Sequence, residues 1–165
     1  MIGIVKKFTC HLDTNKSHIV LVNPSNMGNM GTIIRTAIGF GIKNLAIISP
    51  GVDVFHPKTI RASMGALFRL RHKYYEDFAD YRKDFPEHEV FCFMLTGERQ
   101  LTVSDVPKPK LFSLVFGNEA TGLPKEFADY GQSIIIPQTP DVDSLNLTIA
   151  VGIGSYMFTQ GIQKL

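Results

Sequence analysis

A stretch near the start of the sequence, "NMGNMGTIIRTAIGFG" (26–41), combines an Asn-Gly cluster and one arginine with the apolar spacing of a helix. At about 100° per residue, Arg35 falls opposite the large apolar side chains, among small neighbours that leave room for a bulky partner. The apolar arc comprises Ile33, Ile34, Ala37, Ile38 and Phe40, and the opposite face comprises Gly31, Thr32, Arg35, Thr36 and Gly39. Asn29 is placed to cap this helix. Taken alone, Arg35 has a simpler interpretation as an exposed arginine on an amphipathic helix.

A second segment, "LVFGNEATGLP" (114–124), delivers an apolar run into a glycine-containing turn. Gly117 would allow a flat ligand to approach the backbone closely. Glu119 follows in the turn and is either a solvated turn residue or part of a site. Neither this segment nor the first contains the GxxxxGK[ST] or GxGxxG pattern, so a phosphate loop is not predicted.

The third segment, "IIIPQTPDVDSLNLTIAVGIGSYMF" (134–158), ends in a helix that is apolar on nearly every side. Ser144 is placed to cap this helix, and Asn146 then falls within its first turn. A helix of this kind must be buried on more than one side. Together with the low charged fraction of the chain, 19%, it favours an oligomer that covers part of its surface.

Apolar runs alternate with helical patterns along the chain, which predicts an α/β fold with a parallel sheet flanked by helices. The predicted strands are 18–22, 44–49, 89–95, 111–117 and 133–137, and the predicted helices are 30–41, 57–65, 76–84, 124–129 and 145–160. Polar and glycine residues follow four of the strands. Because ligands bind at the carboxyl ends of strands in such sheets, these segments should form one composite site.

Length and composition limit the other possibilities. The 165 residues suit a single domain, 1–165, with residues 1–17 as a short extension before the first strand. Cys10 and Cys92 form no CxxC pair, which favours the reducing cytoplasm over a disulfide scaffold or a zinc site. The five histidines form no metal-binding motif, and no segment has the pattern of a signal peptide or a membrane span.

The three segments together resemble the SpoU (TrmH-type) branch of the SPOUT methyltransferases, which transfer a methyl group from S-adenosylmethionine to ribose 2′-hydroxyls of RNA. The match extends over about residues 18–160, and "RASMGALF" (61–68) also resembles a family segment. Thr148 stands where serine is commoner in the family and keeps the hydroxyl. The matching motif positions are Asn29, Arg35, Ala37 and Gly41; Phe116, Gly117, Glu119, Gly122 and Leu123; and Ile136, Pro137, Ser144, Leu145, Asn146 and Thr148.

The resemblance implies a C-terminal deep trefoil knot, a homodimer and an RNA substrate, either tRNA or rRNA. It implies cofactor binding by Leu95, Thr96, Gly97, Gly117, Ile136, Ser144 and Leu145. It implies a catalytic group of Arg35, Asn29, Glu119, Ser144 and Asn146. Because arginine is effectively never deprotonated in proteins, we expect Arg35 to bind phosphate and stabilise the developing alkoxide. Glu119 is then a candidate partner for the charge of Arg35.

The basic segment "IRASMGALFRLRHKYY" (60–75) is either an RNA-contacting surface or a solvated basic turn. In the first case its cations would contact phosphates, and Tyr74 or Tyr75 would stack on bases. The cations are Arg61, Arg69, Arg71 and Lys73, with His72 beside them and Lys6 and Lys7 elsewhere.

Two other functions stay open. One is a non-catalytic α/β nucleotide- or cofactor-binding module, which would have no need of Arg35. The other is a nicotinamide-dependent oxidoreductase, which the missing GxGxxG pattern disfavours. Whether the chain is a minimal enzyme or the catalytic piece of a longer protein also stays open.

Overall fold

The computed structural model describes residues 6–160, so the first and last five residues of the predicted 1–165 domain lie outside the described part. Within residues 6–160, one sheet contains seven strands, all parallel, in the order β3-β2-β1-β6-β4-β7-β5. The strands are β1 His18–Val22, β2 Asn44–Ile48, β3 Arg71–Tyr75, β4 Glu89–Phe93, β5 Arg99–Gln100, β6 Phe112–Phe116 and β7 Gln132–Ile135. The helices are α1 Met27–Gly39, α2 Pro57–Ser63, α3 Phe78–Asp84 and α4 Leu147–Thr159, with 3-10 turns at Ala66–Arg69 and Lys125–Tyr130.

The predicted α/β architecture is confirmed, and five strands lie where the apolar runs placed them. The predicted helix 124–129 is a 3-10 turn, and two strands were missed. β3 lies at the edge of the sheet and is only partly buried: His72 and Tyr75 are buried, whereas Arg71 and Tyr74 are exposed. β5 has only two residues and exists through its pairing with β7. Neither strand carries a continuous apolar run, so no local pattern predicted either of them.

Both faces of the sheet are covered, which explains strands that are apolar throughout. Ile19 and Leu21 of β1 belong to a core shared with α1 and α4. Val20, between them, belongs to a second core on the other face, together with Phe78 and Tyr81 of α3.

Helices α1 and α4 pack side by side and run in the same direction. Gly152 lies opposite Thr36, and the ring of Tyr156 lies 5.9 Å from that of Phe40, four residues further along each helix. Both helices therefore begin at the same end of the molecule, where β1 delivers the chain into α1.

The helical-wheel prediction was wrong for Gly31, which is buried rather than on an open face. A Cβ atom there would lie 2.5 Å from the Cβ of Ala62 and 2.6 Å from the carbonyl oxygen of Thr59. The missing side chain lets α2 pack directly on α1, so α1 is covered on a second side.

A buried polar cluster lies at the amino-terminal ends of the strands, on the side of the sheet away from the start of α1. The Tyr81 hydroxyl is within hydrogen-bonding distance of His18 Nδ1 (2.9 Å) and Ser113 Oγ (2.6 Å), and His88 Nδ1 is 2.9 Å from Ser113 Oγ. The two histidine rings lie 4.5 Å apart. Burial lowers the pKa of His18 to about 4 and also lowers the pKa of His88. Both imidazoles are therefore neutral at pH 7.

Candidate active site

A cavity of about 520 Å³ opens at the carboxyl ends of β4, β6 and β7. Its walls are the segments that follow these strands together with the start of α4, as the strand-end argument predicted. Six of the seven predicted cofactor residues line it: Leu95, Thr96, Gly117, Ile136, Ser144 and Leu145. Apolar side chains and turn backbone make up most of this surface.

The seventh predicted cofactor residue, Gly97, does not line the cavity. Its Cα faces the backbone of β7, and a Cβ atom there would overlap Ile134 and Ile135. Glycine is needed at this position because the loop after β4 crosses close to β7. Gly97 therefore fixes the course of the loop whose preceding residues, Leu95 and Thr96, line the cavity.

Gly117 is a similar case, although it does line the cavity. A Cβ atom on Gly117 would overlap the backbone of Gly122 and Leu123, because the loop closes on itself through a Gly122 N–H bond to the Asn118 carbonyl (2.9 Å). The Asn118 side chain also accepts from Ala120 N–H at 2.8 Å. The closure of the loop therefore requires glycine at this position, and room for a flat ligand beside Gly117 stays a prediction.

Glu119 connects this loop to the start of α1. One carboxylate oxygen accepts from Ser25 N–H (3.0 Å) and Ser25 Oγ–H (2.8 Å), and the other accepts from Asn26 N–H (3.1 Å) and Asn29 Nδ2 (3.3 Å). Burial acts to raise the pKa of Glu119, but these hydrogen bonds together hold the pKa below its ordinary value. Glu119 is therefore a carboxylate at neutral pH.

The cap of α1 is Asn26, and the assignment of Asn29 to this role was wrong. Asn26 Oδ1 accepts from Gly28 N–H at 2.8 Å and from Asn29 N–H at 3.0 Å. The helix begins three residues earlier than predicted, so Asn29 lies inside the first turn with its amide turned to Glu119. Asn26 was missed, although an asparagine before Met27 carried the same capping signal.

A similar shift occurs at α4, where Asn146 is the cap and Ser144 is not. Asn146 Oδ1 accepts from Thr148 N–H (2.8 Å) and Thr148 Oγ1–H (2.7 Å). The cap position belongs to the residue directly before Leu147, and Ser144 lies two residues before that cap, exposed and lining the cavity. Ser144 is thereby left available to a ligand.

Arg35 is exposed on α1, as predicted. It lies one turn after Gly31, which contacts α2, and next to Thr36, which contacts α4. Within residues 6–160 no ion pair or side-chain hydrogen bond involves Arg35. The expected pairing with Glu119 is absent there, because Glu119 is engaged by the start of α1. The guanidinium charge therefore faces solvent between two helices.

Much of the basic segment serves the fold. Lys73 forms an ion pair with Asp84 at 2.8 Å, and the buried Tyr75 donates to the same carboxylate at 3.0 Å. The Tyr74 hydroxyl donates to the Val52 carbonyl at 2.7 Å. His72 is buried as well. Stacking by Tyr75 on a base is therefore ruled out, and the hydroxyl of Tyr74 is already bonded within the protein.

The part of the chain that the structure describes contains neither a candidate membrane span nor a candidate metal site. No helix within residues 6–160 is long and apolar enough to cross a membrane. Over the same range, no group of three or more His, Cys, Asp or Glu side chains is arranged to hold a metal ion.

The site thus combines an apolar, nucleoside-sized cavity with a carboxylate that fixes the start of α1 and an exposed arginine on that helix. A family model described as the SpoU rRNA Methylase family matches residues 16–156. The chain belongs to this family. The match begins before β1, ends near the last turn of α4 and includes the three site segments.

Similarity to individual SpoU proteins extends over most of the chain. An uncharacterized tRNA/rRNA methyltransferase from Synechocystis is 28% identical over 139 residues, covering 84% of this chain and 51% of its own length. The crystal structure of an AdoMet-bound rRNA methyltransferase from Sinorhizobium meliloti has a TM-score of 0.82 and 31% identity, covering 93% of this chain and 59% of that one. The chain therefore spans about half to three fifths of these two relatives.

A third similar protein has nearly the same extent as this chain. A structure described as giving insights into 2-OH methylation of C/U34 on tRNA has a TM-score of 0.80 and 28% identity. The alignment covers 91% of this chain and 98% of that one.

Proposed function

We propose that this SpoU protein transfers the methyl group of S-adenosylmethionine to a ribose 2′-hydroxyl of tRNA or rRNA in the cytoplasm. The observation that carries the proposal is the cavity at the ends of β4, β6 and β7, which six of the seven expected cofactor residues line. The AdoMet-bound relative from Sinorhizobium meliloti shares this fold. Its cofactor is assigned to this chain by similarity.

The cavity fits an adenosine chemically. Leu95, Ile136 and Leu145 supply apolar surface for a purine, and the turns beside them supply backbone N–H and carbonyl groups for its polar edge. The bound cofactor supplies an electrophilic sulfonium methyl. Everything else in the reaction requires positioning of the hydroxyl and stabilisation of the charge that develops on its oxygen.

Arg35 is the residue best suited to that stabilisation. Its guanidinium remains protonated, so it acts as a fixed cation beside the developing alkoxide and the neighbouring phosphate, and water or phosphate takes the proton. Glu119 lines the cavity and binds Asn29, six residues before Arg35 on the same helix. Glu119 thereby fixes the position of the loop after β6 relative to α1, the helix that carries Arg35. Ser144 and Asn146, at the start of α4, orient the ribose.

The chain order around β7 supports the expected trefoil knot. β7 pairs with β4 on one side and with β5 on the other, although residues 94–98 alone join β4 to β5. A strand that enters between two such closely connected segments has to pass beside the loop that joins them. Gly97 provides the close approach where the loop and β7 meet.

The exposed side of α4 supports a homodimer. Ile149 and Tyr156 are each 52% exposed, and α4 contains no charged residue. An apolar, uncharged face of this kind is suited to a second copy of itself about a two-fold axis. The site would then lie close to the interface, because α1 packs along α4.

Two measurements test the function. Calorimetry should show binding of S-adenosylmethionine and its demethylated product, and no binding of NAD. Incubation with total tRNA and rRNA, followed by mass mapping of the modified nucleosides, should detect new 2′-O-methylribose. Cofactor binding without methylation of either RNA would favour the non-catalytic binding module, and binding of NAD alone would contradict the proposal.

A further inference from the structure

The segment formed by α2 and the following 3-10 turn exposes three large apolar side chains. Ile60 is 38% exposed, Met64 72% and Phe68 56%. The Phe68 ring stacks on no other aromatic ring of residues 6–160. Met64 also has a left-handed backbone conformation, with φ 50° and ψ 40°, which non-glycine residues adopt only when their surroundings enforce it. This segment therefore holds apolar side chains in solvent.

The charge around these side chains distinguishes them from the exposed face of α4. Residues 54–75 contain no Asp or Glu. Arg61 and Arg69 are exposed beside the apolar side chains, and no ion pair within residues 6–160 involves either of them. A second copy of the chain would bring the same cations together at a two-fold axis, where they repel. The charge is instead complementary to a polyanion.

The segment also lies beside the proposed catalytic helix. Ala62 and Thr59 pack on Gly31, and Arg35 follows Gly31 by one turn. A nucleic acid strand with its target ribose near Arg35 would pass over α2 when it extends in this direction. Flat apolar rings and sulfur side chains between arginines form the kind of surface on which unpaired bases stack while their phosphates are neutralised.

We propose that this face, consisting of Ile60, Arg61, Met64, Phe68 and Arg69, binds unpaired nucleotides that flank the target ribose. Phe68 and Met64 contact a splayed base, and Arg61 and Arg69 contact the adjacent phosphates. The face thus selects single-stranded loops over duplexes, whose bases are already stacked. This inference rests on the proposed RNA substrate and adds which structural class of RNA is accepted and by which residues.

The test is fluorescence anisotropy at low salt with a labelled short single-stranded RNA of mixed sequence and with the same RNA as a duplex. Wild type should prefer the single strand. Phe68→Ala should weaken single-strand binding by about tenfold or more, the effect of losing one stacked base. Phe68→Trp should restore it. Arg61→Ala should weaken binding of both RNAs and make the salt dependence of the affinity shallower.

Matched controls use exposed residues elsewhere, Val103→Ala for the apolar change and Lys108→Ala for the cation. Calorimetry with S-adenosylmethionine and sedimentation of each variant accompany the binding curves. Equal RNA affinity for Phe68→Ala and wild type, or no single-strand preference in wild type, would overturn the inference even if cofactor binding and methyl transfer are normal. A change in the sedimentation of Phe68→Ala would assign the face to a second copy of the chain instead.

Discussion

At the scale of single residues, the site contains a cation and an anion that do not neutralise each other. Glu119 is occupied by four hydrogen bonds from Ser25, Asn26 and Asn29. Arg35, on the same helix as Asn29, keeps its charge facing solvent. The carboxylate thus holds the start of α1, while Arg35 has no ion-pair partner within residues 6–160, as its proposed contact with a substrate phosphate requires. The two residues should therefore respond differently to substitution.

Arg35→Ala should separate chemistry from binding. The side chain is exposed, so the free energy of unfolding should change by no more than about 0.5 kcal/mol. S-adenosylmethionine affinity should stay near wild type, because the cavity residues are on other elements. Single-turnover methyl transfer to RNA should fall by at least about a hundredfold, as expected when one stabiliser of a developing oxyanion is lost. Arg35→Lys should restore little, since an ammonium cannot reproduce the planar fork. Near-normal methylation by Arg35→Ala would return Arg35 to a plain surface residue.

Gly117→Ala should impair cofactor binding through the loop itself. The added methyl would overlap the backbone of Gly122 and Leu123, so the 117–123 loop must shift and cost about 1–3 kcal/mol of stability. The calorimetric affinity for S-adenosylmethionine should fall by at least about tenfold. Gly39→Ala is the matched control, because a Cβ atom there meets nothing within 4 Å and alanine favours the helix. Unchanged affinity in Gly117→Ala would show that the loop tolerates the displacement.

At the scale of secondary structure, the site is held by interactions at the starts of helices. Asn26 caps α1, Asn146 caps α4, and Glu119 ties the loop after β6 to the first turn of α1. The amino-terminal edge of the sheet is fixed differently, by the buried His18–Tyr81–Ser113–His88 cluster. The stability contributed at the two ends of the strands should consequently depend differently on pH.

Acidification should destabilise the fold through His18. Its pKa of about 4 in the folded state lies below the ordinary 6.5, so the unfolded chain binds the proton first. Stability is therefore complete above about pH 6.5, falls as the pH drops through the interval between 6.5 and 4, and levels off below it. Between pH 7 and 5 the loss from His18 alone should be about 2 kcal/mol.

Urea unfolding at a series of pH values measures this loss. His18→Asn removes the titrating ring and retains an amide nitrogen facing Tyr81, so the slope of stability against pH near pH 5 should become shallower. The slope should not vanish, because the pKa of His88 is also lowered by burial. An identical slope in His18→Asn and wild type would contradict the assignment.

At the scale of the whole molecule, α4 is covered by the sheet and α1 on one side and exposed on the other. Wild type should sediment at about twice the chain mass at micromolar concentration. Tyr156→Glu should give a monomer with reduced methyl transfer, because it puts a charge into an uncharged apolar face. Val103→Glu, at an 81% exposed position outside that face, should remain dimeric. A wild-type monomer that keeps its activity on dilution would exclude both the dimer and a site that depends on it.

The sequence alone determined the fold class, the five central strands and the strand ends around which the cavity forms. Strands covered on both faces must be apolar throughout, and a helix beside a sheet must carry a periodic stripe, so both leave a local pattern that can be recognised. The polar and glycine residues after the strands likewise had to meet at one edge of a parallel sheet. These inferences depend only on neighbours within a few residues of each other.

Tertiary structure decided what depends on distant partners. Glu119 binds Ser25 across 94 positions of sequence, and no local pattern could show that it would hold α1 rather than pair with Arg35. Gly31 and Gly97 are explained only by the backbone or side chain that packs against each of them. The choice of Asn26 and Asn146 as caps depended on where the packed helices begin. Local patterns fix which face is apolar, whereas long-range contacts fix which polar group is left free to act.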